Sequence, residues 1–310
     1  MEGMTEAAFY PTPDNPCPAG GKAFFLKLKP DLKIRGAHWP RGQRGTVIVL
    51  PGRTEYIEKY FETIGELKTR DFAVAALDWR GQGASSRALA DPLKGHVLSF
   101  TEFMADLEAL HTALGPQLTK PLLFLAHSMG ANVVLRALHD QPDRFQGAVM
   151  IAPMLRIKHA PGALVMVLSR FLAPDLYVPG PPIDPYTERF EANLVTHDLK
   201  RFARNLRIIN AERSLALGSP TWGWLQAATT STALIMRPGY LEAIRTPVLM
   251  LSAEAERLVD NAAHATAARS LKRVTQIFVT GARHEILQET DAIRQEFWRR
   301  FDGFTAAFSA

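Results

Sequence analysis

The sequence predicts an α/β protein: a mostly parallel, doubly wound sheet that carries an inserted, mainly helical cap. Three observations predict it. Short apolar runs alternate with helix-period segments along most of the 310 residues, as strands do when each crosses to the next through a helix. The alternation stops between about residues 152 and 241 and then resumes. One apolar run, Leu122 to Leu125, breaks sharply into Ala126-His127-Ser128-Met129-Gly130 before a helical stretch begins.

Taken in order, residues 1–22 are rich in Pro and Gly and read as a loosely held N-terminal arm. Residues 24–28 and 32–39 read as a hairpin turning at Lys29-Pro30-Asp31. A buried strand follows at 46–50, then the turn Pro51-Gly52-Arg53-Thr54-Glu55. The spacing of Ile57, Tyr60, Phe61, Ile64 and Leu67 predicts a helix over 56–68. A strand at 72–77 runs into Asp78-Trp79-Arg80-Gly81-Gln82-Gly83, and a helix covers 100–114. The apolar run from Leu122 is the next strand, with a helix at 131–139 and a strand at 147–151. After the interruption, the sequence predicts a strand at 247–252, a helix at 259–269, a strand at 276–280 and a helix at 291–304. The core is therefore expected at 23–152 and 242–310, with the cap at 153–241. An insertion placed there covers the carboxyl ends of the strands, where open α/β sheets bind ligands.

Composition narrows the functional class. Hydrophobic residues make up 47% of the chain, ample for a large core. No apolar run approaches the length of a membrane span. The first residues lack a basic stretch followed by an apolar one, so no signal peptide is expected. Cys17 is the one cysteine, which forbids an internal disulfide and fits a reducing cytoplasm. Net charge is +5, and four of those charges fall between 155 and 240, where ten Arg/Lys face six Asp/Glu. A solvated helix face explains that excess; attraction to anionic lipid is the sharper reading. A basic tail or an aromatic-interleaved basic stretch is missing from the sequence, so nucleic acid is not an expected partner.

The break at Ser128 carries the chemistry. A serine between a buried strand and a helix, with tiny residues two before and two after, is the nucleophile elbow of α/β-hydrolases. Bulk at 126 or 130 would clash there, and the helix start points N–H groups at the site. A serine nucleophile needs a base and the base an orienting acid, in the order Ser, acid, His along such a chain. Of nine histidines, His284 lies in the loop just after the final strand; His96 and His159 stand within reach of a pocket. The acid comes from the loop after strand 247–252, which offers Glu254, Glu256 and Asp260. Its position four residues past the strand favours Glu256, with Asp260 as the fallback, since Asp260 also suits a helix cap. The oxyanion hole needs the N–H of Met129 and one from the loop after strand 46–50, where Arg53 stands behind a permissive Gly52. His127, at the free elbow position, and Trp222 and Trp224, in the cap, are candidate pocket residues. The chemistry calls for no metal or organic cofactor.

The runs PGRTEYIEKY, DWRGQGASS, AHSMGA, ERLVDNAAH and GARHEILQE resemble the lysophospholipase and monoacylglycerol-lipase branch of the α/β-hydrolases. The cap stretches FEANLVTHDLKRFARN and LGSPTWGWLQAA look like its bacterial lysophospholipase-like members. The resemblance covers about residues 24 to 305. It implies a triad of Ser128, Glu256 and His284, an oxyanion hole from Arg53 and Met129, and hydrolysis of a lysophospholipid or monoacylglycerol. Three departures stand out: Pro51 where the family has His, Ala126 where the elbow has Gly, and Glu256 where Asp is usual. A carboxylesterase for small esters is the rival enzyme; a non-catalytic binding protein is the rival of another class, since one fold hosts many functions. The apolar stretch 162–172 is an ordinary buried cap helix, a wall for an acyl chain or a surface resting peripherally on a membrane. Oligomeric state has no sequence signal here.

Overall fold

The computed structural model describes residues 4–158, 160, 162–180 and 184–308. Strands and helices alternate as β1 (Met4–Ala7), β2 (Lys22–Lys29), β3 (Leu32–Trp39), β4 (Thr46–Leu50), α1 (Phe61–Thr69), β5 (Ala73–Leu77), α2 (Phe100–Leu114), β6 (Leu122–His127), α3 (Met129–Asp140) and β7 (Gly147–Ile151). The insertion holds α4 (Gly162–Leu168), α5 (Leu199–Ala211) and α6 (Trp222–Ile235). The chain closes with β8 (Val248–Ala253), α7 (Asn261–Ser270), β9 (Val274–Val279) and α8 (Asp291–Thr305).

The nine strands form one sheet ordered β1-β2-β3-β5-β4-β6-β7-β8-β9. The first three and the β3–β5 pair are antiparallel; from β5 through β9 every pairing is parallel. Because strand side chains alternate between faces, the apolar runs feed two cores. Ile48, Leu50, Phe124 and Ala126 join one cluster with α2, α3 and α6; Val47, Val49, Leu123 and Leu125 join the other with α1 and α8. Burial on both faces is why these strands read as continuous apolar runs.

The N-terminal segment departs from the loose arm expected of residues 1–22. Met4–Ala7 extends the sheet as an edge strand against β2. Phe9 stacks on Trp39 at 5.3 Å between ring centroids, and Trp39 Nε1 donates to Pro18 O at 2.9 Å. Asn15 Nδ2 donates to Glu58 O at 2.9 Å. Aromatic burial and satisfied polar groups hold a segment whose composition alone suggests none of it. Cys17 lies half-buried in this segment, packed beside the α1/α8 core.

The insertion is fastened unequally. Helix α6 lies on α3, with Ser231 Oγ donating to Asn132 Oδ1 at 2.7 Å, and Phe100 packs near Trp224 at 6.4 Å. Arg201 and Arg204 of α5 pair with Glu62 of α1, and Arg201 also with Asp291 at the start of α8. Helix α4 buries only Val165. Leu164 and Val167 are about half exposed and Phe171 is 82% exposed, so the expectation of an ordinary buried cap helix fails for this stretch. No helix among the described residues is long and apolar enough to cross a membrane.

Candidate active site

β6 ends at His127 and α3 begins at Met129, which leaves Ser128 alone in the turn. Its backbone sits at φ 48°, ψ −109°, a conformation a non-glycine residue adopts only when its surroundings enforce it. The surroundings do so: Ser128 N donates to Ile151 O at 2.9 Å, and Ser128 O accepts from Met154 N at 3.0 Å and Asn132 N at 3.2 Å. Gly130 is dictated sterically, since a Cβ there would lie 2.4 Å from Leu50 O and 2.6 Å from Pro51 O. Ala126 pairs with Leu50 on one side and Met150 on the other, and its methyl joins the apolar core. That position has room for one methyl.

His284 stands in the loop after β9, almost fully buried. Its Nδ1 lies 2.6 Å from Glu256 Oε2. The other carboxylate oxygen, Glu256 Oε1, accepts the N–H groups of Arg257 at 2.8 Å and Leu258 at 2.7 Å. Burial pushes this carboxyl upward, but the His284 contact and the Leu258 and Val259 amides outweigh it and bring the pKa down to about 2. Glu256 is thus an anion at every working pH, and Nδ1 of His284 is the donor nitrogen. The two other acids of that loop are placed elsewhere. Asp260 caps α7 through Ala262 N at 2.9 Å and pairs with Arg156; Glu254 accepts Gly281 N at 2.9 Å.

The loop after β4 stands against the elbow. A Cβ on Gly52 would lie 3.3 Å from Ser128 Cβ and 2.8 Å from His127 Nδ1, so only glycine allows this approach. Three contacts fix the loop: Trp79 Nε1 to Pro51 O at 2.8 Å, Gln82 Nε2 to Gly52 O at 2.7 Å, and Gly52 N to Glu55 Oε2 at 2.5 Å. The run DWRGQG therefore shapes the loop that carries Arg53. Asp78 of the same run lies in a buried ion cluster with Arg35 and Glu58. Met129 opens α3, where first-turn N–H groups have no helical acceptor.

His127, a candidate pocket residue, is packed between two acceptors. Its Nδ1 faces Glu55 Oε2 at 3.0 Å and its Nε2 faces His284 O at 3.1 Å. Both partners are acceptors, an arrangement that a ring protonated on both nitrogens satisfies in full. Burial pulls the His127 pKa down, and the Glu55 carboxylate raises it overall. Lys59 bonds Glu285 at 2.6 Å and Glu55 at 3.2 Å, which links Lys59, His127, Glu55 and the partly buried Glu285 in one group. Tyr60 also donates to Glu55 at 2.6 Å. Sequence reading missed this group, although the clustered charges of TEYIEKY were its available signal.

Trp222 and Trp224 are buried with the apolar core beside α2. His96 Nδ1 is taken up by Thr221 Oγ1 at 2.9 Å; His159 lies outside the described residues. Among the described residues no group of His, Cys, Asp and Glu has the arrangement of a metal site.

The chain resembles known proteins along most of its length. It is 32% identical over 276 residues to Lysophospholipase L2 of Escherichia coli (strain K12), covering 85% of this chain and 79% of that protein. The solved structure of a soluble variant of monoglyceride lipase from Saccharomyces cerevisiae matches with TM-score 0.73 at 18% identity, over 96% of this chain and 99% of the other. A thermostable carboxyl esterase from Bacillus coagulans matches with TM-score 0.76 at 16% identity, over 94% and 99%. At those identities the two structures speak for the α/β-hydrolase fold. The family profile described as serine aminopeptidase, S33 (Hydrolase_4), matches residues 41–291, and the chain belongs to that family.

Proposed function

We propose that the protein is a serine hydrolase that cleaves the carboxylic ester of a single-chain lipid through an acyl-enzyme. The observation that carries this reading is the buried Glu256–His284 pair at 2.6 Å, in a chain whose Ser128 is held in a strained elbow next to His127, which lies 3.1 Å from the His284 carbonyl oxygen. With Nδ1–H fixed on Glu256, Nε2 of His284 is the free base. It takes the Ser128 proton as Oγ attacks the ester carbonyl, and Glu256 stabilises the imidazolium. The amides of Arg53 and Met129 receive the oxyanion. The alcohol leaves with the proton from His284; water then enters by the same route, releasing the fatty acid and restoring Ser128. Each step returns its proton, so the cycle consumes ester and water alone.

The lipid part of the proposal is supported by the names of the similar proteins, a lysophospholipase and a monoglyceride lipase. The exposed apolar side chains Leu164, Val167, Phe171 and Leu176 support peripheral contact of the insertion with a lipid surface. The first experiment is hydrolysis of p-nitrophenyl esters from short to long acyl chains by the wild type and Ser128→Ala, with fluorophosphonate labelling. We expect rates to rise with chain length and to drop by about 10⁴-fold or more in the variant. Activity confined to the shortest esters would leave a small-ester carboxylesterase. Absence of both turnover and labelling would leave a binding protein. The family description favours a second reading, peptide-bond cleavage; aminoacyl p-nitroanilides cleaved faster than any ester would establish it.

A further inference from the structure

The Arg53 side chain has a use that its backbone does not exhaust. From beside Ser128 it turns into the seam between residues 93–95 and the start of α6. There Nη2 donates to Gly218 O at 2.5 Å, and the guanidinium carbon lies 5.3 Å from the centre of the Trp224 ring. Gly95 makes the space, since a Cβ on it would come within 2.5 Å of Nη2. Among the described residues no carboxylate pairs with Arg53, and its Nε is buried without a hydrogen-bond partner. Burial brings its pKa down to about 10, so it still carries its proton at neutral pH.

Arg87, which reaches the same insertion, shows what a purely structural arginine looks like here. Its Nε donates to Pro92 O, its Nη1 to Ser85 O, and its Nη2 to Ser214 O and Ala216 O. Arg87 is a strap with its donors engaged. Arg53 by contrast keeps a buried Nε without a partner, and holding a charge there without a counter-charge is costly. An arriving anion recovers that cost. Guanidinium suits a phosphate better than a point charge does, because its planar set of N–H groups matches adjacent phosphate oxygens.

We infer that the Arg53 guanidinium binds the phosphodiester of a lysophospholipid whose ester lies at Ser128. This rests on the lipid-ester reading above and narrows it: the preferred substrate carries a phosphate, and a neutral monoacylglycerol is the poorer one. The arrangement is economical in geometry. One residue offers its backbone N–H to the ester oxygen and its side chain to the phosphate borne by the same glycerol unit.

The test compares 1-palmitoyl-lysophosphatidylcholine with 1-monopalmitoylglycerol in the wild type, Arg53→Met and Arg53→Lys. Whatever loss is common to both substrates, the ratio of their kcat/KM values is expected to fall about 30-fold in Arg53→Met, mostly through KM, and to recover partly in Arg53→Lys. Fluorophosphonate labelling of each variant verifies that the site has formed. Glycerophosphocholine should inhibit p-nitrophenyl ester hydrolysis by the wild type and lose that effect in Arg53→Met. An unchanged ratio overturns the inference and leaves the lipid reading standing. Equal inhibition by glycerophosphocholine and by inorganic phosphate also overturns it, in favour of a general anion site. A wild type that cleaves short esters and neither lipid overturns the lipid reading itself.

Discussion

Ser128 is held at a positive φ by backbone contacts to Ile151, Met154 and Asn132, but one carboxylate sets what stands around it. Glu55 binds the Gly52 amide, the His127 ring, Tyr60 and Lys59, and His127 in turn holds the carbonyl of His284. Burial alone would raise the Glu55 pKa; His127 and Lys59 instead hold it well below the usual carboxylate range. Glu55→Gln keeps the shape and removes the charge facing the His127 ring and Lys59. We expect kcat to fall about 10- to 100-fold with a smaller change in KM, because small displacements of positioned groups cost rates of that order. An unchanged kcat would assign Glu55 to stability alone, as read from a denaturation midpoint. Of the residues that sequence order singles out, Glu256 and His284 meet directly, and the His284 carbonyl faces His127, the neighbour of Ser128; residue type and position after a strand both restrict them. Glu55 and His127 escape such reasoning. They lie 72 residues apart in the chain, and a glutamate in a turn ordinarily signals nothing beyond solubility.

At the scale of elements, the strands at 46–50 and 147–151 and the helix at 100–114 coincide with their sequence expectations. Buried apolar runs bounded by turn residues, and a helix capped by Ser99, leave little freedom at their ends. The helix expected over 56–68 is split: a 3₁₀ turn at Ile57–Tyr60 precedes α1. Asp78 accepts the Ile57 amide at 2.9 Å and so pins its start, a long-range contact that periodicity does not contain. Part of the basic excess of the insertion is spent on α5, where Arg201 and Arg204 meet Glu62 and, at the surface, Arg207 meets Asp14. Burial raises the Glu62 pKa, but Arg201, Arg294 and Arg204 outweigh it and lower it to about 2. A carboxyl depressed in the folded state contributes stability that is complete above its unfolded pKa of about 4.5 and is lost as pH falls towards 2. Protection of the α5 amides, their exchange rate relative to that of the unstructured chain at the same pH, should therefore fall over that window. Glu62→Gln should show the low protection already at neutral pH, and protection unchanged from pH 5 to 2 in the wild type would refute the clamp.

For the whole molecule, the parallel sheet and its insertion were legible because alternation and its interruption are features of the entire chain. The N-terminal edge strand was not. Met4–Ala7 has no apolar run of its own and is a strand only because β2 offers it a partner. The outward apolar side chains of the α4 region also became visible only once the faces were assigned. If they meet a lipid surface, the double variant Leu164→Asp, Phe171→Asp should bind phospholipid vesicles about tenfold less. Its turnover of a water-soluble ester should stay within about twofold of the wild type. Equal vesicle binding by both proteins would move the membrane contact elsewhere or remove it.

The edge segment that resisted sequence reading also carries the chain's one thiol. Burial raises the Cys17 pKa to about 11. At neutral pH roughly one molecule in 10⁴ then holds the thiolate that oxidants and alkylating agents attack. The sulfur is chemically quiet for as long as the segment stays seated on the α1/α8 core. Alkylation at Cys17 should therefore be slow while it stays packed beside the α1/α8 core and should quicken when the segment is displaced.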